Sequence, residues 1–542
     1  MLFTTLTLLL FFLSQLHCYV VDPGPQVKAT KGFVWPKPQQ VTRSQEYFVI
    51  NPKEFRFKNL GKECAILVKA FQRYGTMINV TNSLERRGRL TEISVAHFHR
   101  IYDKTNYLGS LSKLYVDLEN PCKDDEYPSA VMDESYEINI TNSMKPMLKA
   151  KSIWGILRGL ETFSQLIHYA SNEYTLIVNS TWIKDFPRFP YRGLMLDTSR
   201  HFIPVYSIYN TLDAMSYNKL NVFHWHIVDD QSFPYQSTKF PELSDKGAYH
   251  PISQVYTLLD IKRVIEFARL RGIRVIPEFD TPGHTRSWGE GIKDILTPCY
   301  DTNGKATGKY GPMNPASKKL FKFLRELFKE IRDVFPDSYL HLGGDEVEFE
   351  CWDSNEEVKE FMKMKQIKNY KALENYYIQE LIRNIVDITD VHVVWEEVFV
   401  NGVELTNDTI VHVWKNDGFT VLKNVTGAGK PALLSACWYL DHLKSGGDWN
   451  DFYDCDPHDF HGSQEQMDLV LGGEACMWAE VVNGHNIGSR IWPRASATAE
   501  KLWSKKNADE FSKAAQRLEE HTCRMNFRGI PAQPPNGPGF CL

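Results

Sequence analysis

The stretch "LNVFHWHIVDD", residues 220–230, is a β-branched and aromatic run that closes on two acids. Such side chains suit a pleated strand, whereas adjacent carboxylates are costly to bury. A strand of this kind carries its charge at one end. The design recurs: "YRGLMLDTS" (191–199), "IRVIPEFD" (273–280) and "SYLHLGGDE" (338–346) also finish on polar residues. Four further runs stand at 392–398, 409–415, 432–440 and 469–478. Amphipathic patterns separate many of them, such as "LLDIKRVIEFARLRG" (258–272) and "SKKLFKFLRELFKEIRDVF" (317–335). Eight strands in β/α alternation predict a (β/α)8 TIM barrel. An open doubly wound sheet is the alternative, but no Gly-rich phosphate loop follows the first strand.

Upstream the rhythm differs. Short β-like runs surround one helical segment, "WGILRGLETFSQLI" (154–167), and the prolines of "WIKDFPRFPYRG" (182–193) mark a boundary. The expected organisation is therefore a smaller α+β domain over 19–190, then the barrel over 191–542. Residues 1–18, "MLFTTLTLLLFFLSQLHC", resemble a secretory signal peptide, with a signal anchor as the rival reading. No later stretch is long and apolar enough to span a bilayer. Five N-x-S/T triplets, at Asn79, Asn139, Asn179, Asn407 and Asn424, fit glycosylation on that route. Of ten cysteines, Cys18 falls in the signal, leaving an odd number. Local spacing suggests Cys523–Cys541 as a clamp on the tail. With no C-x-x-C pair, a structural zinc site is not expected. A net charge of −5 gives no electrostatic reason for a nucleic-acid or anionic-membrane partner.

The polar residues at the strand ends are Asp197 and Arg200, Asp229 and Asp230, Asp280 and His284, then Asp345 and Glu346. Trp395, Trp414, Tyr439 with Asp441, and Trp478 with Glu480 complete the circuit. Barrel enzymes build their sites at that rim. Metal-assisted hydrolysis is one reading, invited by "HWH" (224–226), His284 and Asp345. The later strand ends supply tryptophans and acids where further ligands are needed, so no metal or other cofactor is expected. His224 and His226 then read as hydrogen-bonded structural residues. A glycosidase fits better. Trp395, Trp414, Trp438 and Trp478 can wall a sugar pocket, while Arg200, Asp441 and Glu480 grip hydroxyls and one acid protonates the leaving oxygen.

The motifs "RGLMLDTSRHF", "FHWHIVDDQSFPY", "PEFDTPGHT", "HLGGDEVEF", "WYLD" and "GGEACMW", in that order, closely resemble family 20 glycoside hydrolases, specifically animal lysosomal β-N-acetylhexosaminidases. The resemblance implies removal of terminal GlcNAc or GalNAc from glycans with retention, the substrate's own acetamido oxygen acting as nucleophile. Glu346 would be the general acid and then the base; Asp345 would hold the acetamido N–H. Arg200 would bind ring hydroxyls, with Asp229 and His284 forming a polar chain behind Glu346 and Asp280 beside it. Tyr439 would donate to the acetamido oxygen. Trp395 and Trp414 would wall its methyl, Trp478 would stack under the ring, and Asp441 and Glu480 would hold the outer hydroxyls. Asp441 resembles the subunit type that takes neutral sugars. The family also implies bridges Cys64–Cys122 and Cys299–Cys351, a homodimer, and a lysosomal or secreted destination. Cys437, Cys455 and Cys476 are left, with Cys437–Cys455 as a possible extra bridge. Partial burial and the neighbouring Asp345 are expected to raise the Glu346 carboxyl, with His284 opposing them. A lectin derived from such a barrel would have lost the acid, and this chain keeps both carboxylates.

Overall fold

A computed structural model describes residues 26–81, 105–170, 175–389, 391–442, 447–539 and 541. The expected signal peptide and Cys18 lie outside the described residues. Eight parallel strands close into a barrel: Tyr191–Asp197, Val222–Val228, Arg274–Phe279, Tyr339–His341, Val391–Trp395, Ile410–Val413, Ala432–Leu434 and Val470–Met477. Each of the eight expected runs supplies one strand, and the last pairs back onto the first from Gly472↔Tyr191 to Met477↔Leu196. The fourth is shorter than its sequence suggests. Gly343 and Gly344 (φ +73° and +99°) turn the chain outward after His341, and Glu346 itself sits at φ +49°. Asp345 and Glu346 thus lie on a loop beyond the strand, whose left-handed backbone the two glycines permit.

Helices alternate with these strands for local reasons. Thr257 and Asp260 form a reciprocal capping box that starts Leu258–Arg269. Leu320–Val334 buries Leu320, Phe323, Leu324, Leu327, Phe328 and Ile331, the three- and four-residue spacing of one apolar face.

Inside the barrel, side chains on alternate strand positions stack in layers. The lowest is apolar: Tyr191, Val222, Ile276, Val393, Ile410 and Leu433 form one cluster. Two residues further along most of the strands the layer is polar. It comprises His224, Glu278, His341, His412, Ser435 and Glu474, all buried. Gly193 makes room for it, because a Cβ there would stand 2.5 Å from Glu474 Oε2. Two residues further again come His226, Asp280 and Trp414 at the rim, where Trp395, two past Val393, and Trp478, four past Glu474, join them.

Residues 40–185 build a mixed sheet in the order Arg56–Asn59, Lys113–Leu118, Met147–Ala150, Tyr136–Ile140, Leu176–Asp185, Gln40–Val49, Tyr107–Ser110, with His168–Tyr169 added on Leu176–Asp185. The helix Ile153–Leu166 packs on it, capped by Ser152, which accepts from the Trp154 and Gly155 amides. Gly159 permits the contact, since a Cβ there would meet Leu148 Cδ1 at 2.2 Å. This module is locked to the barrel by buried charge. Glu134 Oε1 takes Arg158 Nε at 2.8 Å and Arg192 Nη2 at 2.6 Å, and Arg158 Nη2 donates to Gly272 O at 2.7 Å.

Bridges form at Cys64–Cys122, Cys299–Cys351, Cys523–Cys541 and also Cys437–Cys455, which leaves Cys476 free and buried among the described residues. Of the glycosylation triplets, Asn79, Asn407 and Asn424 are exposed and Asn139 is half-buried. Asn179 is a correction. It is buried in a strand, and its amide donates to Ser44 O at 3.1 Å, so the folded protein has no room for a glycan there. Among the described residues no helix is long and apolar enough to cross a membrane.

Candidate active site

Asp229, just past the second barrel strand, organises one side of the rim. Its carboxylate takes Arg200 Nη2 at 2.9 Å, His226 Nε2 at 2.8 Å and His284 Nδ1 at 3.2 Å. Burial opposes its charge, but these donors and cations hold the Asp229 carboxyl well below the usual range. Arg200 is held also by Asp197, at 3.3 Å, and Asp197 accepts from the Ala479 amide at 3.1 Å. That bond ties the first strand's loop to the eighth. The guanidinium lies over the Trp478 ring, 4.9 Å from its centroid.

The far edge of the His284 ring faces both adjacent acids, with Nε2 3.7 Å from Asp345 Oδ2 and 3.6 Å from Glu346 Oε2. Burial would discharge this imidazole, yet Asp345, Asp229 and Glu346 together raise it well above an ordinary histidine. His284 (φ +56°) and Glu346 are both non-glycine residues in the left-handed region, a strain that clusters at functional sites.

The two acids differ sharply in environment. Asp345 is buried, and burial raises its carboxyl despite the His284 charge. Beside it Asp280 is pushed well above the carboxylate range, by burial first and the Asp345 charge second. The Glu346 side chain is 57 % exposed. Its carboxyl moves opposite to the sequence expectation: the His284 imidazolium lowers it, and partial burial only partly opposes this. The correction has a simple cause. Glu346 points into the mouth, where desolvation is weak, while His284 is charged.

Trp395, Trp478, Met195 and Cys476 form one small cluster, with Trp414 and Tyr439 packed against it. Trp414 and Tyr439 stack at 5.9 Å and 22°. Trp438 is a second correction. It is wholly buried in the main core, and its indole donates to Phe452 O at 3.0 Å, away from the pocket wall. Asp441 is half-buried and its carboxyl is raised by burial; Glu480 is exposed at the rim and raised for the same reason.

Residues that the sequence reading left aside hold these walls in place. Glu278 Oε1 accepts Trp395 Nε1 at 2.7 Å, and its Oε2 takes His226 Nδ1 at 2.7 Å and His224 Nε2 at 2.9 Å. His224 continues to Glu474 at 2.7 Å, which also accepts the Tyr191 hydroxyl at 2.9 Å. Burial opposes the His224 charge, but Glu474 and Glu278 carry it up to about 9. Glu397 accepts Trp414 Nε1 at 2.9 Å and pairs with Lys415 at 2.8 Å. Part of the sequence signal was present: His224 and Glu278 each lie two residues before a rim residue, His226 and Asp280, on the same strand run.

His224, His341 and His412 converge closely enough to hold a metal ion. Their nitrogens already face other groups: His224 lies between Glu278 and Glu474, His341 Nδ1 accepts the Gly343 amide at 3.1 Å and its Nε2 faces His412, and His412 Nε2 meets the Ser435 hydroxyl at 2.9 Å, so the geometry is that of a polar layer closed on itself. Several other buried polar atoms have no hydrogen-bond partner, among them Arg200 Nε, Asp280 Oδ2, His284 Nε2, Asp345 Oδ1 and Asp441 Oδ1 of the rim residues. Unpaired buried groups of this kind are expensive unless a ligand completes them. Together with the aromatic wall they suit a polar ring with one apolar substituent.

The glycosyl hydrolase family 20 catalytic domain matches residues 189–506, and a beta-acetyl hexosaminidase like domain matches 34–166. The beta-hexosaminidase subunit beta of Felis catus is 47% identical over 530 residues, 96% of each chain. Subunit alpha of Mus musculus is 45% identical over 517 residues, 94% of each chain. Among solved structures, the chitobiase of Flavobacterium johnsoniae superimposes with a TM-score of 0.77 at 30% identity, covering 92% of this chain and 73% of that one.

Proposed function

Because this chain belongs to glycosyl hydrolase family 20 and is an exo-β-N-acetylhexosaminidase, we propose that it works by substrate-assisted, retaining catalysis divided between Asp345 and Glu346. The observation that carries the reading is Asp345 Oδ1, a buried carboxylate oxygen with no protein donor, next to a half-exposed acid. An acetamido N–H would satisfy it. Asp345 then orients the acetamido oxygen toward the anomeric carbon and balances the positive charge of the oxazolinium as it forms. Tyr439 donates its hydroxyl to the acetamido oxygen, and Trp395 and Trp414 enclose the methyl. Glu346 gives its proton to the leaving oxygen. In the second step it takes one from the water that opens the ring. Arg200, Asp441 and Glu480 hold the ring hydroxyls, and Trp478 lies under the ring.

A second carboxylate across the sugar is not required by this scheme, which accounts for the two acids being sequence neighbours. The test is direct. The first-formed sugar should keep the β configuration by NMR, a thiazoline mimic of the oxazolinium should inhibit strongly, and Asp345→Asn should lower kcat while binding survives. A sugar covalently trapped on a protein carboxylate overturns the scheme.

The same reading takes 19–190 as a non-catalytic module and 191–542 as the catalytic unit, since every residue given a role follows Tyr191. It also takes the protein as a homodimer that travels the secretory pathway to the lysosome or outside. The four disulfides and the exposed triplets at Asn79, Asn407 and Asn424 support that route. Light scattering and glycosidase-sensitive mobility check both points.

A further inference from the structure

Asp441 lies well past the seventh barrel strand, Ala432–Leu434, in chain that forms neither helix nor strand. Cys437–Cys455 ties the start of this loop, and the Leu440 amide donates to Cys476 O on the eighth strand at 2.8 Å. The carbonyls that follow are held from elsewhere. Arg494 opens the helix Arg494–Trp503 and is buried. Its Nη2 donates to Leu440 O at 2.6 Å and also to Arg490 O. Its Nη1 donates to His442 O at 3.4 Å and meets Asp448 Oδ2 at 3.4 Å. Arg490, on the short helix Ile487–Ile491, donates from Nη2 to Asp441 O at 3.4 Å. The successive carbonyls of Leu440, Asp441 and His442 are thus gripped by two arginines.

Backbone carbonyls outside regular structure still need donors when they are taken from water. A guanidinium suits the task, because its planar fork can hold several oxygens at fixed angles, whereas an ammonium is a single flexible point. The Phe452 ring, with its centroid 5.6 Å from the Arg494 guanidinium carbon, backs that fork. Holding the carbonyls on both sides of Asp441 fixes the direction in which its side chain leaves the backbone. Its Oδ1 has no hydrogen-bond partner and is left to a ligand. Burial raises the Asp441 carboxyl, while His442, Arg494 and Arg490 oppose the rise and favour the charged acceptor. We propose that Arg494, assisted by Arg490, is a positioning residue for Asp441. Recognition of the sugar's 6-hydroxyl then depends on a buried arginine that acts through the backbone.

This assignment rests on Asp441 being the acid that holds the 6-hydroxyl, and the experiment separates the two. Measure kcat/KM for an aryl GlcNAc and for its 6-deoxy analogue in the parent, Asp441→Ala, Arg494→Gln, Arg494→Lys and the double variant Asp441→Ala/Arg494→Lys. The parent should prefer the hydroxylated sugar about tenfold or more, the worth of a hydrogen bond to a charged group, and Asp441→Ala should abolish that preference. Arg494→Gln should remove most of it. Arg494→Lys keeps the charge but cannot span both carbonyls, so the ratio should fall about threefold. A general structural defect lowers both substrates alike and leaves the ratio parental, and a parental ratio in either Arg494 variant overturns the positioning role. Should Arg494→Gln fail to fold, Arg494→Lys decides by the same ratio. In the double variant the ratio should stay at the Asp441→Ala value, because the arginine acts through that acid; a further fall overturns the proposal. A parental ratio in Asp441→Ala overturns the reading of Asp441 instead.

Discussion

Replacing Glu278 by Gln removes one charge from a fully buried side chain that makes four contacts at once. In the parent, Oε2 lies 2.7 Å from His226 Nδ1 and 2.9 Å from His224 Nε2, while Oε1 takes Trp395 Nε1 at 2.7 Å and lies 3.3 Å from His341 Nδ1. An amide keeps one acceptor oxygen. If that oxygen stays with Trp395, the amide NH2 faces two imidazole N–H groups and leaves them unpaired. Breaking one partner of a buried ion pair costs about 3–5 kcal/mol. For a unit of this size that lowers Tm by on the order of 5–10 °C. The loss should depend on pH with a definite sign. Burial opposes the Glu278 charge, but the surrounding histidines hold its carboxyl well below the ordinary range. Its stabilisation is thus present above the unfolded carboxyl pKa and lost as pH falls through the lower folded one. His224, raised to about 9, contributes fully below the unfolded imidazole pKa and loses that contribution as pH rises through about 9. The Tm gap between parent and variant should therefore be widest from roughly pH 4.5 to 6.5. Activity should fall as well, because Glu278 positions Trp395 directly and Asp229 through His226. A kcat reduction of about tenfold to a hundredfold is expected for groups that orient the reacting shell. Thermal melts across pH, with initial rates on an aryl GlcNAc taken well below Tm, measure both. A parental kcat with a lowered Tm would refute the positioning role, and a parental Tm would refute the buried charge.

The Glu346 carboxyl is held low by His284 in the free protein, so kcat/KM should begin to fall at a lower pH than kcat, whose limb reports the enzyme with sugar covering the acid. His284→Asn should move the kcat/KM limb upward; coincident limbs in the parent would contradict this account. An aryl GlcNAc 6-sulfate should show a kcat/KM about tenfold or more below that of the unsulfated substrate, because Asp441 would face the sulfate in a partly buried site. Asp441→Asn should narrow the gap. Burial raises this carboxyl, so the discrimination should also shrink as pH falls through its pKa. Gly159→Ala should lower Tm by several degrees, about 1–3 kcal/mol of overpacking against Leu148, and leave kcat within about twofold, which melts and rates on one preparation will show.

By itself the sequence determined the barrel and most of its rim. Strand rhythm, helix spacing and the polar residue that ends each run are local properties, set within ten or so neighbours, and Asp345, Glu346, Arg200, Asp229 and His284 could be read from them. Motif order carried the resemblance to family 20 glycoside hydrolases, and the expected chemistry came with that resemblance. Tertiary structure alone decided what depends on partners far along the chain. Glu278 and Trp395 meet across 117 residues, and His224 and Glu474 across 250. A run such as "PEFD" names a buried acid without saying which histidines will charge it. Adjacent aromatics divided likewise: Tyr439 packs at the pocket, while Trp438 turns into the core, because successive side chains on an extended segment point to opposite faces. Asn179 became a buried donor only once its strand paired with Gln40–Val49. The Glu346 carboxyl moved down, against the sequence expectation, because its charge state follows from exposure and from His284, and both exist only after the loops past the third and fourth strands have come together.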